Sequence, residues 1–341
     1  MTTATAGAGQ AYLQAQSRWR PLEIVFWLAT LLPYVLFPDY LSLASQIAIT
    51  GLFALSLDLI LGYAGVVSLG HAAFFGIGAY AAGIFSKAFS FDLFGSTVSW
   101  PGVGEPIFGL IFAALMAGLA GYGTSFIVAR FRHFTLIMIT LGLGLIAEEI
   151  ANRAHWLTGG SDSLQGINIS NLLGVFRWDL YGYTAYTYSL IVLFIVFLGV
   201  RRLVNSPFGL ALRGIRENWV RMPAIGAASQ AHVRLAYTIA ATIAGIAGAL
   251  LTQTTQTAAL GSINFGRSAD VVVMLVLGGA GRLYGGLVGA AIYMIARDQF
   301  SGIAPQFWFF WIGLMLVGVV LFLPNGVLGG LSALMRRWRR K

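Results

Sequence analysis

The run Gly62-Tyr63-Ala64-Gly65-Val66-Val67-Ser68-Leu69-Gly70-His71-Ala72-Ala73-Phe74-Phe75-Gly76-Ile77-Gly78-Ala79-Tyr80 decides how the chain is read. Five glycines, a serine and a histidine interrupt a stretch that is otherwise apolar. Glycine costs about 1 kcal/mol relative to alanine inside a helix, so the first half of this run is a poor helix. Backbone that leaves the helix at membrane depth is tolerated only inside protein or along a cavity. Gly65, Ser68, Gly70, His71, Phe74 and Gly76 are therefore expected to line a substrate pathway through a broken or re-entrant segment. Close packing of helices through small residues is the competing reading of the same glycines.

Composition places this run in a membrane. Of 341 residues, 58% are hydrophobic and 10% charged, with a mean hydropathy of +0.80. Soluble domains carry about 25% charged residues, and disorder needs low hydrophobicity, so both classes are excluded. The expected fold is an all-α polytopic membrane protein. At ~20 apolar residues per crossing, the chain has room for about 8–10 transmembrane helices. Apolar segments fall at 21–37, 41–61, 66–85, 107–129, 134–151, 185–200, 235–258, 269–277, 285–295 and 307–323. Residues 21–326 thus form one membrane domain, preceded by a tail at 1–20 and followed by a basic tail at 327–341. With the N-terminus inside, only Lys87, Arg153, Arg177, Arg267 and Arg297 fall outside, and the other lysines and arginines lie within. The positive-inside rule then puts both termini in the cytoplasm. The net charge of +9 reads as this asymmetry rather than as a nucleic-acid surface.

The chemistry is sparse. There is no cysteine, and His71, His133, His155 and His232 are scattered without metal-ligand spacing. No catalytic constellation, metal site or cofactor is expected, and the chain reads as no enzyme. A P-loop needs a lysine directly after glycine, whereas Lys87 follows Ser86 and Lys341 ends the chain. An ATP motor, if one drives this protein, belongs to another polypeptide. Asp58, Asp270, Glu148 and Glu149 keep ion-coupled transport open, although Asp58 reads better as a cap on a neighbouring backbone break.

A second glycine-rich break spans 278–289, with Arg282 and Tyr284 among six glycines. Paired interruptions of this kind point to an internal inverted repeat. Between them in sequence, residues 201–234 form a long basic connection holding a short amphipathic stretch closed by Gly226. It reads as a helix laid on the inner face to dock a soluble partner, against the plainer reading of a basic loop drawn to anionic lipid.

Residues 61–80, Leu-Gly-Tyr-Ala-Gly-x-x-Ser-Leu-Gly-His-Ala-Ala-Phe-Phe-Gly-Ile-Gly-Ala-Tyr, resemble the signature of the LivM-type permeases, inner-membrane subunits of ABC importers for branched-chain amino acids. Residues 158–167, 206–226 and 276–285 resemble their external loop, coupling loop and late glycine motif, in order. The resemblance implies a permease translocating branched-chain or other hydrophobic amino acids by alternating access, with urea, short amides and sugars as rival solutes. It also implies a second homologous permease forming a heterodimer, two cytoplasmic ATPase subunits and a periplasmic substrate-binding protein, in a bacterial inner membrane. The coupling contacts would fall on Arg213, Arg216, Glu217, Trp219, Ala224 and Gly226, with Pro223 ending or kinking the helix.

Overall fold

The computed structural model describes residues 21–93, 96–179, 181–323 and 325–338. The chain enters through α1 (Pro21–Ala29) and α2 (Pro33–Leu36), separated at Pro33, which has no amide hydrogen to continue the first helix. Helix α3 (Leu41–Leu57) follows and runs on into a wider π turn, Asp58–Tyr63. Then come α4 (Ala72–Ser86), α5 (Pro106–Val128), α6 (His133–Arg153) and a single turn, α7 (His155–Thr158). After α8 (Tyr183–Val204), two short helices, α9 (Pro207–Glu217) and α10 (Arg221–Ala224), lead into α11 (Ser229–Thr255). The series closes with α12 (Phe265–Gly278), α13 (Gly285–Ile303), α14 (Trp308–Phe322) and α15 (Gly326–Trp338).

The expectation of an all-helical membrane protein is met. The strands among the described residues are one antiparallel pair, β1 (Phe89–Leu93) and β2 (Ser96–Trp100), in the connection from α4 to α5. Among the described residues, seven helical segments are long and apolar enough to cross a bilayer: Pro38–Tyr63, Pro106–Val128, His133–Arg153, Tyr183–Val204, Ser229–Thr255, Leu260–Gly278 and Trp308–Ser332. Three of the ten apolar segments are not among these seven, each for a local reason. Pro33 divides the first, the first part of the third is not helical, and the ninth continues into Arg297 and Asp298. The basic connection is also shorter than its sequence implies. Helix α8 runs to Val204 and α11 starts at Ser229, so the connection is 205–228.

Arg201 accordingly sits in α8, buried, with its guanidinium 2.7 Å from Glu23 of α1. Charges at this depth are costly unless paired, and the pair ties the entry helix to the bundle. Aromatic edges complete the joint, with Trp27 5.1 Å from Phe197 and Phe26 5.0 Å from Tyr284.

Lipid tails supply no hydrophobic drive between membrane helices, so association rests on close packing of small residues. Helix α5 turns Gly109, Ala113, Ala117, Gly121 and Ser125, spaced by four, toward the interior. Helix α11 meets that stripe with Ala241 and Gly245, and meets α4 on its other side at Gly78. A Cβ on Gly245 would overlap that of Ala117, and one on Gly78 would overlap the backbone of Gly245. Helix α14 differs in kind. Ile312 is its buried residue, while Phe309, Phe310, Leu314 and Val317 face outward.

Overpacking costs ~1–3 kcal/mol, and each kcal/mol moves a melting midpoint by ~2–4 °C in chains of this order of size. Gly245→Leu should therefore lower the melting temperature of the detergent-solubilised chain by several degrees. Gly313→Leu on α14, where a Cβ would meet nothing within 4 Å, should leave it unchanged in the same thermal scan.

Candidate functional site

Helix α3 ends because residues 58–66 cannot continue it. The π turn loosens the ladder, Gly65 takes a left-handed φ of 73°, and helical backbone resumes only near Ala72. An amide freed inside an apolar slab must find a new partner, and three of those freed here find it inside the protein. The Val66 amide donates to Ile60 O at 2.9 Å. The Leu69 amide donates to the Thr140 hydroxyl of α6 at 3.2 Å, and the Ala72 amide to the Ser268 hydroxyl of α12 at 2.9 Å.

The side chains of this break are packed to match. His71 is fully buried, its Nε2 2.8 Å from the Ser56 hydroxyl and its ring stacked 5.6 Å from Phe53. Phe74 sets its ring edge-on to Tyr237 at 5.4 Å, and Ser68 is buried. Gly70 lies where a Cβ would strike the Thr140 carbonyl, and Gly76 where it would strike Ile263. Gly65 is placed differently, on the wall of a cavity of about 460 Å³ beside the 205–228 connection.

The second break begins where α12 stops at Gly278. Gly279 and Gly281 take φ of 107° and 78°, and α13 starts at Gly285. The two breaks meet. The Gly281 amide donates to Asp58 Oδ1 at 2.7 Å, and Gly62 lies so close to Gly281 that a Cβ on Gly62 would overlap it. Asp58 is therefore the cap of a backbone break, as its position in sequence implied, and the break it caps is the distant one. This meeting also fixes direction. α3 and α12 both run toward the shared junction, and both hairpins turn at one end of the bundle.

Helix α9 lies against this junction. Its buried residues, Gly209, Leu212 and Ile215, make one apolar face, and Pro207 opens it where no amide is needed. Arg216 donates from its guanidinium to the Gly62 carbonyl, and its aliphatic stem covers Gly65. Arg213 stands 5.2 Å over the Tyr63 ring. Trp219 is turned back toward the bundle too, with the Arg132 guanidinium of the α5–α6 turn 4.0 Å above its ring.

Glu217, Ala224 and Gly226 face outward instead. Of the six residues singled out on this connection, three grip the bundle and three are presented. The amphipathic stretch is two helices: α9 stops at Glu217, before Pro223, because Asn218 turns its side chain back to accept from the Arg221 amide at 3.0 Å. Val220 and Ile225, each 77% exposed, were not singled out from sequence. Two aliphatic residues flanking Arg221 and Pro223 in the connection were the available signal.

The remaining acids are also engaged. Asp270 Oδ1 accepts from the Tyr293 hydroxyl at 2.6 Å, and Glu148 from the Asn264 amide at 3.0 Å. Glu149 pairs with Arg153 at 2.5 Å on an exposed face.

Comparison with known proteins agrees with this architecture. Residues 40–323 match the family model described as "Branched-chain amino acid transport system / permease component". The chain is 24% identical to the high-affinity branched-chain amino acid transport system permease protein LivM of Escherichia coli K12, over 88% of this chain and 72% of that protein. It is 27% identical to a probable branched-chain amino acid transport permease protein LivM of Methanocaldococcus jannaschii, over 81% of this chain and 89% of that one. No solved structure matches. With the family model covering most of the chain, including both breaks and the connection that grips them, the protein belongs to the permease components of branched-chain amino acid transport systems.

Proposed function

We propose that this chain is one of two homologous permeases in an ATP-driven importer of branched-chain amino acids, gripped through residues 205–228 by ATPases on the cytoplasmic side. A periplasmic binding protein would deliver the solute to the opposite face, and both termini would lie in the cytoplasm of a bacterial cell. The reading is carried by one observation: Arg216 of α9 holds the Gly62 carbonyl of the first break, and the second break is held to the first through Asp58 and Gly281. A partner that moves α9 therefore pulls on both breaks together. Residues 64–71 pass between packed helices, so in this reading Gly65, Ser68, Gly70, His71, Phe74 and Gly76 belong to a wall that slides as the bundle changes state.

The division of the connection into gripping and presented residues yields a test in the assembled transporter. Glu217→Arg and Ile225→Glu should reduce both copurification of the ATPases and leucine uptake at least tenfold. Arg216→Ala should leave the ATPases bound yet lose uptake, because docking survives while transmission fails. Uptake at the wild-type rate by Arg216→Ala would reject the transmission role.

Asp58 separates ATP coupling from ion coupling. Asparagine keeps an oxygen acceptor for the Gly281 amide but cannot carry a proton, whereas leucine removes the acceptor. Asp58→Asn should retain most ATP-dependent uptake and Asp58→Leu should lose it. Abolished uptake in both variants, with a wild-type melting temperature for Asp58→Asn, would favour ion-coupled transport.

A further inference from the structure

The end of the bundle away from α9 holds a cavity of about 520 Å³ among α3, α11, α12 and α13. Its lining is unusual in a chain with so few charges. Arg267 and Asp270, three residues apart on α12, share the cavity with Arg297 of α13. The ion pairs among the described residues are Arg153–Glu149 and Arg201–Glu23, so neither guanidinium of the cavity is paired with a carboxylate. Arg267 stands 5.4 Å from the Phe75 ring centroid and Arg297 5.2 Å from that of Trp308. A ring face attracts a cation, but it replaces only part of the water a guanidinium gives up. Asp270 is held in place by the Tyr293 hydroxyl, which occupies one of its oxygens.

The rest of the wall is of opposite character. Ile49, Phe75, Leu251 and Met294 supply apolar surface, with Thr50 and Gln46 between the two regions. A ligand that satisfies this arrangement carries an anionic end, a cationic group close to it and an aliphatic body. Paired guanidinium groups are suited to a planar carboxylate, and an ammonium fits beside Asp270. The volume falls in the range of ordinary small-molecule sites.

We propose that this cavity is the permease's own subsite for an aliphatic α-amino acid. Arg267 and Arg297 take the carboxylate, Asp270 takes the ammonium, and Ile49, Leu251 and Met294 receive the side chain. The assignment rests on the transport reading above and deepens it, since in the proposed orientation the cavity opens toward the side from which solute is delivered. It also places the ligand on α12, whose other end leads directly to Gly281 and the junction under α9.

The chain has no cysteine, so a single introduced thiol reports on this cavity alone. Thr255 is exposed on its wall. The experiment measures alkylation of Thr255→Cys by a membrane-impermeant maleimide, in the full-length chain in membrane vesicles. A weak site with Kd ~1 mM is mostly occupied at about 10 mM ligand, so L-leucine at that level should slow alkylation at least threefold. L-Leucine amide, which lacks the carboxylate, should not, and adding Arg267→Gln should remove the protection. No protection by leucine overturns the proposal, as does a thiol the reagent cannot reach. Equal protection by chloride or acetate overturns it as well, since the cavity would then be an adventitious ion site only. Failure here with normal leucine uptake by the assembled transporter removes the subsite and leaves the transport reading. Protection without uptake does the reverse.

Discussion

A peptide group inside a membrane cannot stay unpaired, and this requirement organises the whole bundle. Two segments leave the helix at depth, and three of the amides they free are met by other elements of the bundle. Thr140 of α6 serves Leu69, Ser268 of α12 serves Ala72, and Asp58 at the end of α3 serves Gly281. Neither break is satisfied by local bonds alone. Each can exist only after its neighbours are in place, so irregular backbone and helix packing form a single cooperative unit. The glycines serve both sides of this arrangement, ending helices at 62–65 and 278–281 and allowing Gly62 to approach Gly281 closely enough for the bond to Asp58.

Such a junction is also of a suitable strength for a moving part. Hydrogen bonds to charged groups contribute ~1.5–3 kcal/mol each, and the junction contains two, Arg216 to Gly62 and Gly281 to Asp58. Shifting a two-state equilibrium from 1:99 to 99:1 takes about 5.5 kcal/mol. The junction is therefore strong enough to define one state and weak enough for a docked partner to reverse. A buried apolar seam of the same area would bind the breaks together without tying either to α9.

Much of this was legible in the sequence. Hydropathy located the membrane segments, glycine content located both breaks, and charge pattern located the connection with its amphipathic helix. What stayed hidden depended on partners far along the chain. Arg201 reads as the start of a basic loop until Glu23 is found beside it, and Asp58 reads as a generic cap until Gly281 supplies the amide. The first and third apolar segments form shorter helices than their hydropathy implies, because Pro33 divides one and the first residues of 66–85 are not helical. The sense of the two breaks was also hidden. Glycines mark a break in either direction, and only the contact between Gly62 and Gly281 shows both hairpins turning at the same end.

Helix α12 shows why the polar groups fall where they do. Fourteen residues rising 1.5 Å each make about 21 Å, less than the ~30 Å hydrocarbon layer. With the turn at Leu260–Ser262 before it the segment is long enough to cross a bilayer, and polar groups of the protein meet it at both ends. At one end Ser268, Arg267 and Asp270 supply it, and at the other Gly281 reaches Asp58. The helix carries charge at one end and freed backbone at the other, with a stiff rod between them. Displacement of the junction by α9 must then shift Arg267 and Asp270 in the same direction, because an intact helix transmits movement along its axis rather than absorbing it.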